Sequence, residues 1–226
     1  MKGDIVYIDY IGRIKETNQI FDLTKEEVAK KEGVFNPKVK YKPVPVIIGE
    51  GLVIRGLDEE LEKMKVGEKR IVEIPPEKGF GNRSENLIKL IPRSAFKESN
   101  IEPVIGRVIT VNGLNGRIIS VDGGRIKVDF NHPLAGKTLV YEVEIVKKAE
   151  SNKDKIIAIV SYFIDFEEGD VEIKEGNENV EIILKKEIPK LTRKKIAEFI
   201  MKYVKFKKVR FVYEYESKDF NLENNK

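Results

Sequence analysis

Proline and glycine punctuate this chain so closely that only short strands and helices fit between them. No apolar run approaches the ~18–20 residues of a membrane span. Residues 4–14, DIVYIDYIGRI, read as a strand rich in Ile, Val and Tyr. Thr24 to Glu27 has the spacing of a capping box, which predicts a short helix running to about Gly33. Asn36-Pro37 and the prolines at 43 and 45 return the chain to extended segments, with a short apolar strand over 46–48. Leu57, Leu61 and Met64 recur at i, i+4 and i+7, one stripe of a short helix. After the turn at Val66-Gly67-Glu68, the RIVEI of 70–74 is a strand closed by Pro75-Pro76.

From 76 to 86 the chain is polar and turn-rich, with glycines on either side of Phe80. Between 87 and about 131 its texture changes. Short β-like stretches fall near 88–91, 107–111, 116–121 and 125–129, and Asp122-Gly123-Gly124 is a hairpin signal. This reads as a small barrel or open sheet. NHPLAGK then turns the chain into the strand TLVYEVEIV at 138–146.

Residues 149–155, AESNKDK, read as a linker. Beyond them the pattern is strand, strand, strand, helix, strand. The apolar run IIAIVSYFI at 156–164 fits a buried central strand or a helix of the same length, and its β-branched content favours the strand. Strands follow at 171–174 and 180–184. A helix over about 192–204 carries Ile196, Phe199, Ile200, Tyr203 and Val204 on one face, and a last strand alternates Val209, Phe211, Tyr213 and Tyr215 against Arg210, Val212 and Glu214.

Composition narrows the chemistry. The chain has no Cys, which excludes disulfides, thiol catalysis and thiolate-bound metals. Its single His, His132, sits in a turn, so neither a His cluster for a metal nor a His pair for acid–base work exists. No metal or other cofactor is expected. Charged residues make up 35 %, but 42 Lys+Arg nearly balance 38 Asp+Glu, and a net charge of +4 is too small to argue for nucleic acid. Abundant Lys and Glu without Cys or Trp is the composition of a heat-adapted protein. Gly49-Glu50-Gly51 lacks the full dinucleotide fingerprint and its strand-to-helix context. The N-terminal stretch alternates like a strand and does not read as a signal peptide, so a cytoplasmic protein is expected. Apolar side chains do gather around the turns of the first 80 residues: Tyr10, Phe21, Val53, Ile54, Leu57 and Phe80.

The order of the segments that carry those residues is specific. The chain reads D-Y-x-G at 9–12, F-D at 21–22, VIRGLDEEL at 53–61, M-K-V-G-E-K at 64–69, K-G-F-G at 78–81 and T-L-V-Y-E-V-E-I at 138–145. In that order and spacing it resembles the FKBP family of peptidyl-prolyl cis-trans isomerases, over residues 1–86 and about 131–149. The interruption after K-G-F-G resembles the SlyD-like branch, in which an insert-in-flap domain with chaperone activity occupies this loop. The C-terminal residues are most like those of the long archaeal members.

The resemblance implies an α+β fold: an antiparallel sheet wrapped on a short helix (1–86 plus 131–150), an inserted small β domain (87–130) and a C-terminal α+β domain (151–226). It also implies a proline pocket lined by Tyr10, Phe21, Val53, Ile54, Leu57, Phe80 and Tyr141. Asp22 then lies near the rotating carbonyl and orients Tyr10, and the Ile54 N–H anchors the substrate. Three positions depart from the family pattern: Leu57 stands where Trp is common, Phe80 where Tyr is common, and Val44 where an aromatic is frequent. The expected partners are unfolded or nascent polypeptides containing X–Pro bonds, with no membrane involved.

Two other readings compete. One is a chaperone holdase with weak or no isomerase activity. The other, less supported, is RNA binding through the small β insert and the Lys-rich helix. Because an all-apolar strand at 156–164 needs cover on both faces, a homodimer joined through the C-terminal domain is also expected.

Overall fold

A computed structural model describes residues 2–167 and 169–215. The last positions of the expected C-terminal domain, 216–226, lie outside the described residues. In chain order the elements are β1 (Ile5–Ile14), β2 (Ile20–Leu23), α1 (Glu26–Lys31), β3 (Val44–Ile47), α2 (Arg55–Leu61), β4 (Lys69–Ile74), β5 (Ile88–Pro92), α3 (Arg93–Glu98), β6 (Val108–Val111), β7 (Leu114–Asp122), β8 (Arg125–Asp129), β9 (Leu139–Lys148), α4 (Asn152–Phe163), β10 (Val171–Glu175), β11 (Asn179–Leu184), α5 (Lys190–Tyr203) and β12 (Lys208–Tyr213). The fold is α+β, with antiparallel pairings in each of its sheets. Two compact units divide the chain: one takes the residues up to Arg13, Ile20–Val72 and the chain from Val140 onward, the other Ile14–Gln19 and Glu73–Leu139.

The sheet through the first unit runs β2-β1-β9-β4, with β3 also paired to β1. Both β2 and β3 are antiparallel to β1. The stripe of α2 is buried as its spacing predicts: Leu57 and Leu61 on the helix, and Met64 just beyond it. The capping box expected at Thr24 does not form. The N-cap of α1 is Lys25, without a side-chain bond, because Thr24 is buried and its hydroxyl is spent on β1.

Of the run 156–164, residues 156–163 are helix, not strand, and Ile164 is its extended C-cap. Ser151 Oγ accepts the Asp154 N–H at 3.0 Å, and the Asp154 carboxylate accepts the Ser151 N–H at 3.3 Å. That capping box starts α4 within the stretch read as a linker. Ile156, Ile159, Val160 and Phe163 then fall at i, i+3, i+4 and i+7 and form one apolar face. Ala149 is buried, and its N–H donates to Ile5 O at 2.8 Å, so residues 149–155 end a strand and cap a helix.

Behind α4 lies the three-stranded sheet β10-β11-β12. The parallel pairing of β11 with β12 is made possible by the α5 crossover. Val180, Ile182 and Leu184 share a core with Ile156, Ile159, Ile196 and Ile200, and that core also takes in Ile5 and Ile47. Val209, Phe211 and Tyr213 pack against it, as their alternation predicts. The alternate positions carry Glu172, Lys174, Glu181 and Arg210, with Arg210 paired to Glu181 at 2.9 Å. The same face also carries Ile183, which is buried, and Val212. The argument for self-association from a doubly apolar strand no longer applies, because that run is the helix α4.

The second unit holds the four-stranded antiparallel sheet β5-β8-β7-β6. Asp122 pairs with Arg125 across the predicted Gly123-Gly124 turn. Sequence patterning misses α3, which is a single short turn-and-a-half with Pro92 at its N-cap. It brings Phe96 onto Ile109, Ile118, Ile126 and Val128, the small core of this sheet. Where the chain runs into and out of the sheet, Arg83 meets Asp129 at 2.7 Å. Beside this pair Asn131 bonds both the N–H and the carbonyl of Ser84, at 2.8 and 2.9 Å.

Candidate active site

β1 and β2 assemble the aromatic centre of the first unit. Gly12 pairs with Asp22 and Arg13 with Ile20, which leaves Phe21 as the extra residue of a bulge. A Cβ at position 12 would stand 2.6 Å from Cζ of Phe21, so the absent side chain of Gly12 is what lets that ring lie across the strand. Neighbouring β9 contributes Tyr141, whose ring meets Phe21 edge-on and Tyr10 at a tilt, both with centroids 5.7 Å apart.

Asp22 stands at the edge of this cluster and is exposed, and its Oδ2 accepts the Tyr10 hydroxyl at 2.7 Å. Thr24 holds the end of β2 in place: its hydroxyl accepts the Tyr10 N–H at 2.9 Å and donates to Asp9 Oδ1 at 2.7 Å. Burial, then the charge of Asp22 nearby, raises the Tyr10 phenol well above its ordinary range. The same two causes raise Tyr141. Both rings therefore stay neutral at any physiological pH, and Tyr10 serves as a donor and never as a base.

Val53 and Ile54 lie half-buried on the loop that leads into α2. The Ile54 carbonyl starts the helix by accepting from the N–H groups of Leu57 and Asp58, at 3.0 and 3.1 Å. Among the described residues its own N–H meets no acceptor. Leu57 is 1 % exposed and packs as core. The loop is tied to α2 through Asp58, whose buried carboxylate accepts the Gly49 N–H at 2.8 Å and the Gly51 N–H at 3.0 Å. The sequence reading does not single out Asp58. A carboxylate one turn into a helix after a Gly-x-Gly loop is the signal that could have found it.

Of the predicted site residues, Tyr10, Phe21, Asp22 and Tyr141 come together directly, and Val53, Ile54 and Leu57 share their unit. Phe80 belongs to the second unit, where its ring stacks on His132 with centroids 4.3 Å apart and planes 2° from parallel. His132 keeps the turn role read from the sequence: its Nδ1 accepts the Leu134 N–H at 3.1 Å. The stack with Phe80 is invisible in the sequence, because the two residues are far apart in the chain. No group of His, Cys, Asp and Glu side chains suited to a metal ion occurs among the described residues.

With this geometry in place, the likeness to known proteins is informative. The chain is similar to a short-type peptidyl-prolyl cis-trans isomerase of Methanocaldococcus jannaschii, 41 % identical over 152 residues, covering 66 % of this chain and 96 % of that protein. It is 32 % identical over 151 residues to a probable FKBP-type 16 kDa peptidyl-prolyl cis-trans isomerase of Pseudomonas fluorescens, covering 65 % of this chain and 97 % of that protein. A SlyD isomerase of Helicobacter pylori matches at 28 % over 128 residues, covering 55 % and 69 %. Residues 89–134 match the family described as "FKBP26, IF domain". The chain belongs to the family of FKBP-type peptidyl-prolyl cis-trans isomerases.

Proposed function

We propose that this chain accelerates rotation about X–Pro bonds in unfolded and partly folded polypeptides, and that the segment 87–130 adds chaperone capture. The observation that carries the first part is the Tyr10–Asp22 hydrogen bond at the edge of the cluster formed by the rings of Tyr10, Phe21 and Tyr141.

Rotation of a prolyl amide is slow because the C–N bond has partial double-bond character, with a barrier of ~18–20 kcal/mol. Twisting the bond removes that resonance and its charge separation. Water favours the polar planar form, so an apolar aromatic surface favours the twisted form by comparison. Each tenfold in rate needs only ~1.4 kcal/mol of such preference. In this reading Phe21, Tyr141 and Tyr10 face the proline ring, and Leu57 supports them from the core. Asp22 orients the Tyr10 hydroxyl and places negative charge near the carbonyl that turns. The Ile54 N–H, which meets no acceptor among the described residues, holds a substrate carbonyl and fixes the chain. Phe80 is assigned to the pocket by resemblance, and replacing it with Ala tests that role.

The second part rests on apolar surface. Leu90, Ile105, Val108 and Leu114 are exposed in the second unit. A depression of about 290 Å³ there is lined by Leu87, Ile91, Val111, Leu114 and Phe130. Surface of this kind suits transient contact with unfolded chain. It equally suits a holdase without turnover, the second reading. Exchange spectroscopy on a short X–Pro peptide separates the two, because an isomerase broadens and exchanges the cis and trans signals at substoichiometric amounts. A holdase leaves those rates at their uncatalysed value.

A further inference from the structure

The loop Gly49–Leu52 leads directly into Val53 and Ile54, and two elements distant in sequence grip it. From α5, Lys202 Nζ contacts both carboxylate oxygens of Glu50, at 2.8 and 2.9 Å. From α4, the Tyr162 hydroxyl donates to the Leu52 carbonyl at 3.0 Å. The Leu52 side chain packs against the core built by those same helices. On its other side the loop is held by Asp58, through the N–H groups of Gly49 and Gly51, both in the left-handed region at φ +85° and +65°.

The arrangement exceeds an ordinary surface ion pair. An isolated exposed pair contributes little. Here the Glu50 side chain is only 20 % exposed and is held at both oxygens. A second helix binds the backbone two residues later, and the next two residues are Val53 and Ile54. Hydrogen bonds from Lys202 and Tyr203 keep the Glu50 carboxyl below its ordinary range, so the pair stays ionised throughout the neutral range.

We propose that the C-terminal helices act on the reaction through this loop, with Lys202 and Tyr162 as positioning residues that set the Ile54 N–H for substrate. The inference rests on the isomerase reading above. A backbone donor that anchors substrate tolerates little displacement, since an error of ~1 Å in placement can cost on the order of 10²-fold. Loosening the grip moves or frees the donor and leaves the aromatic centre untouched. The expected signature is therefore weaker substrate binding with a nearly unchanged turnover number.

The test uses the full-length chain with Lys202→Met, Tyr162→Phe, and the charge exchange Glu50→Lys with Lys202→Glu. Two quantities are measured: amide hydrogen exchange over residues 49–56, and the kinetics of a proline tetrapeptide. Each single change should speed exchange in that segment and raise KM by about three- to tenfold, the range of a modest coupling between sites. The turnover number should stay within about twofold, and the charge exchange should recover most of the loss. Lys202 is 54 % exposed, so its replacement does not threaten folding. Unchanged exchange at 49–56, or faster exchange with KM unaltered, would overturn the proposal. A wild-type chain that turned over no peptide would instead defeat the isomerase reading, and the exchange measurement would still decide whether the helices hold the loop.

Discussion

The hydroxyl of Tyr10 donates to Asp22 Oδ2 across 2.7 Å, from β1 to the bulged strand beside it. This bond fixes the direction of the Tyr10 hydroxyl at the aromatic centre. A hydrogen bond to a charged group is worth ~1.5–3 kcal/mol at most, less where solvent reaches it as it reaches Asp22. Tyr10→Phe keeps the ring and loses the bond. We expect kcat/KM for a proline peptide to fall by about three- to tenfold, with a melting temperature changed by only about 1–3 °C.

Gly12→Ala is the sharper steric test. The new methyl would stand 2.6 Å from the ring of Phe21, closer than any real contact, so the ring must leave its place. Phe21 is half-buried, and the strand itself tolerates Ala, so stability should drop by only about 1–2 kcal/mol. Activity should fall at least tenfold. The paired measurements are urea denaturation and peptide turnover, and an active, equally stable variant would remove Phe21 from the site.

Much of this was legible because the signals are local. Alternating strands, the α2 stripe and the Gly123-Gly124 hairpin each depend on a few adjacent residues, and all three appear where the spacing puts them. The centre formed by Tyr10, Phe21, Asp22 and Tyr141 came instead from resemblance, since Tyr141 lies far along the chain from its partners. The misreadings share one cause. IIAIVSYFI has strand-like residues, yet Ser151 and Asp154 cap a helix just before it, and its neighbours supply a face to bury. Thr24 has cap spacing, yet a buried hydroxyl finds better partners in Asp9 and Tyr10. In both cases contacts with other elements, joined in the first by the preceding cap, outweighed the weak preference of the residues themselves. The grip of Lys202 on Glu50 and the stack of Phe80 on His132 leave no local trace at all.

Acid should weaken the hold of α5 on the loop. The Glu50 carboxyl lies below its unfolded value in the folded chain, chiefly through its bond to Lys202. A depressed carboxylate contributes stability above its unfolded pKa of about 4.3, and that contribution fades as pH falls through the folded value. Wild type should therefore be more stable than Lys202→Met at pH 7, and the difference should shrink below about pH 4.3 and vanish once the Glu50 carboxyl is protonated in the folded chain as well. Denaturation midpoints measured along that range check the sign.

Removing residues 87–130 and closing the gap with a short loop should separate two activities. The small-peptide rate should stay within about an order of magnitude, because the aromatic centre lies outside the deleted segment. Refolding of a protein limited by proline isomerisation should slow far more, because capture of long chains uses the exposed apolar side chains of that segment. Equal loss on both substrates would refute the division.

The central claim is that Asp22 and the rings around it accelerate prolyl rotation, and one comparison tests it most directly. Wild type and Asp22→Ala are assayed side by side on a proline tetrapeptide, with circular dichroism and denaturation midpoints recorded for both. The exposed position of Asp22 predicts the same fold for the two proteins and a midpoint shift worth no more than about 1 kcal/mol. It predicts clear acceleration by wild type and a fall of at least about tenfold in the variant. A folded wild type that leaves the uncatalysed rate unchanged, or an Asp22→Ala variant as fast as wild type, would contradict the account.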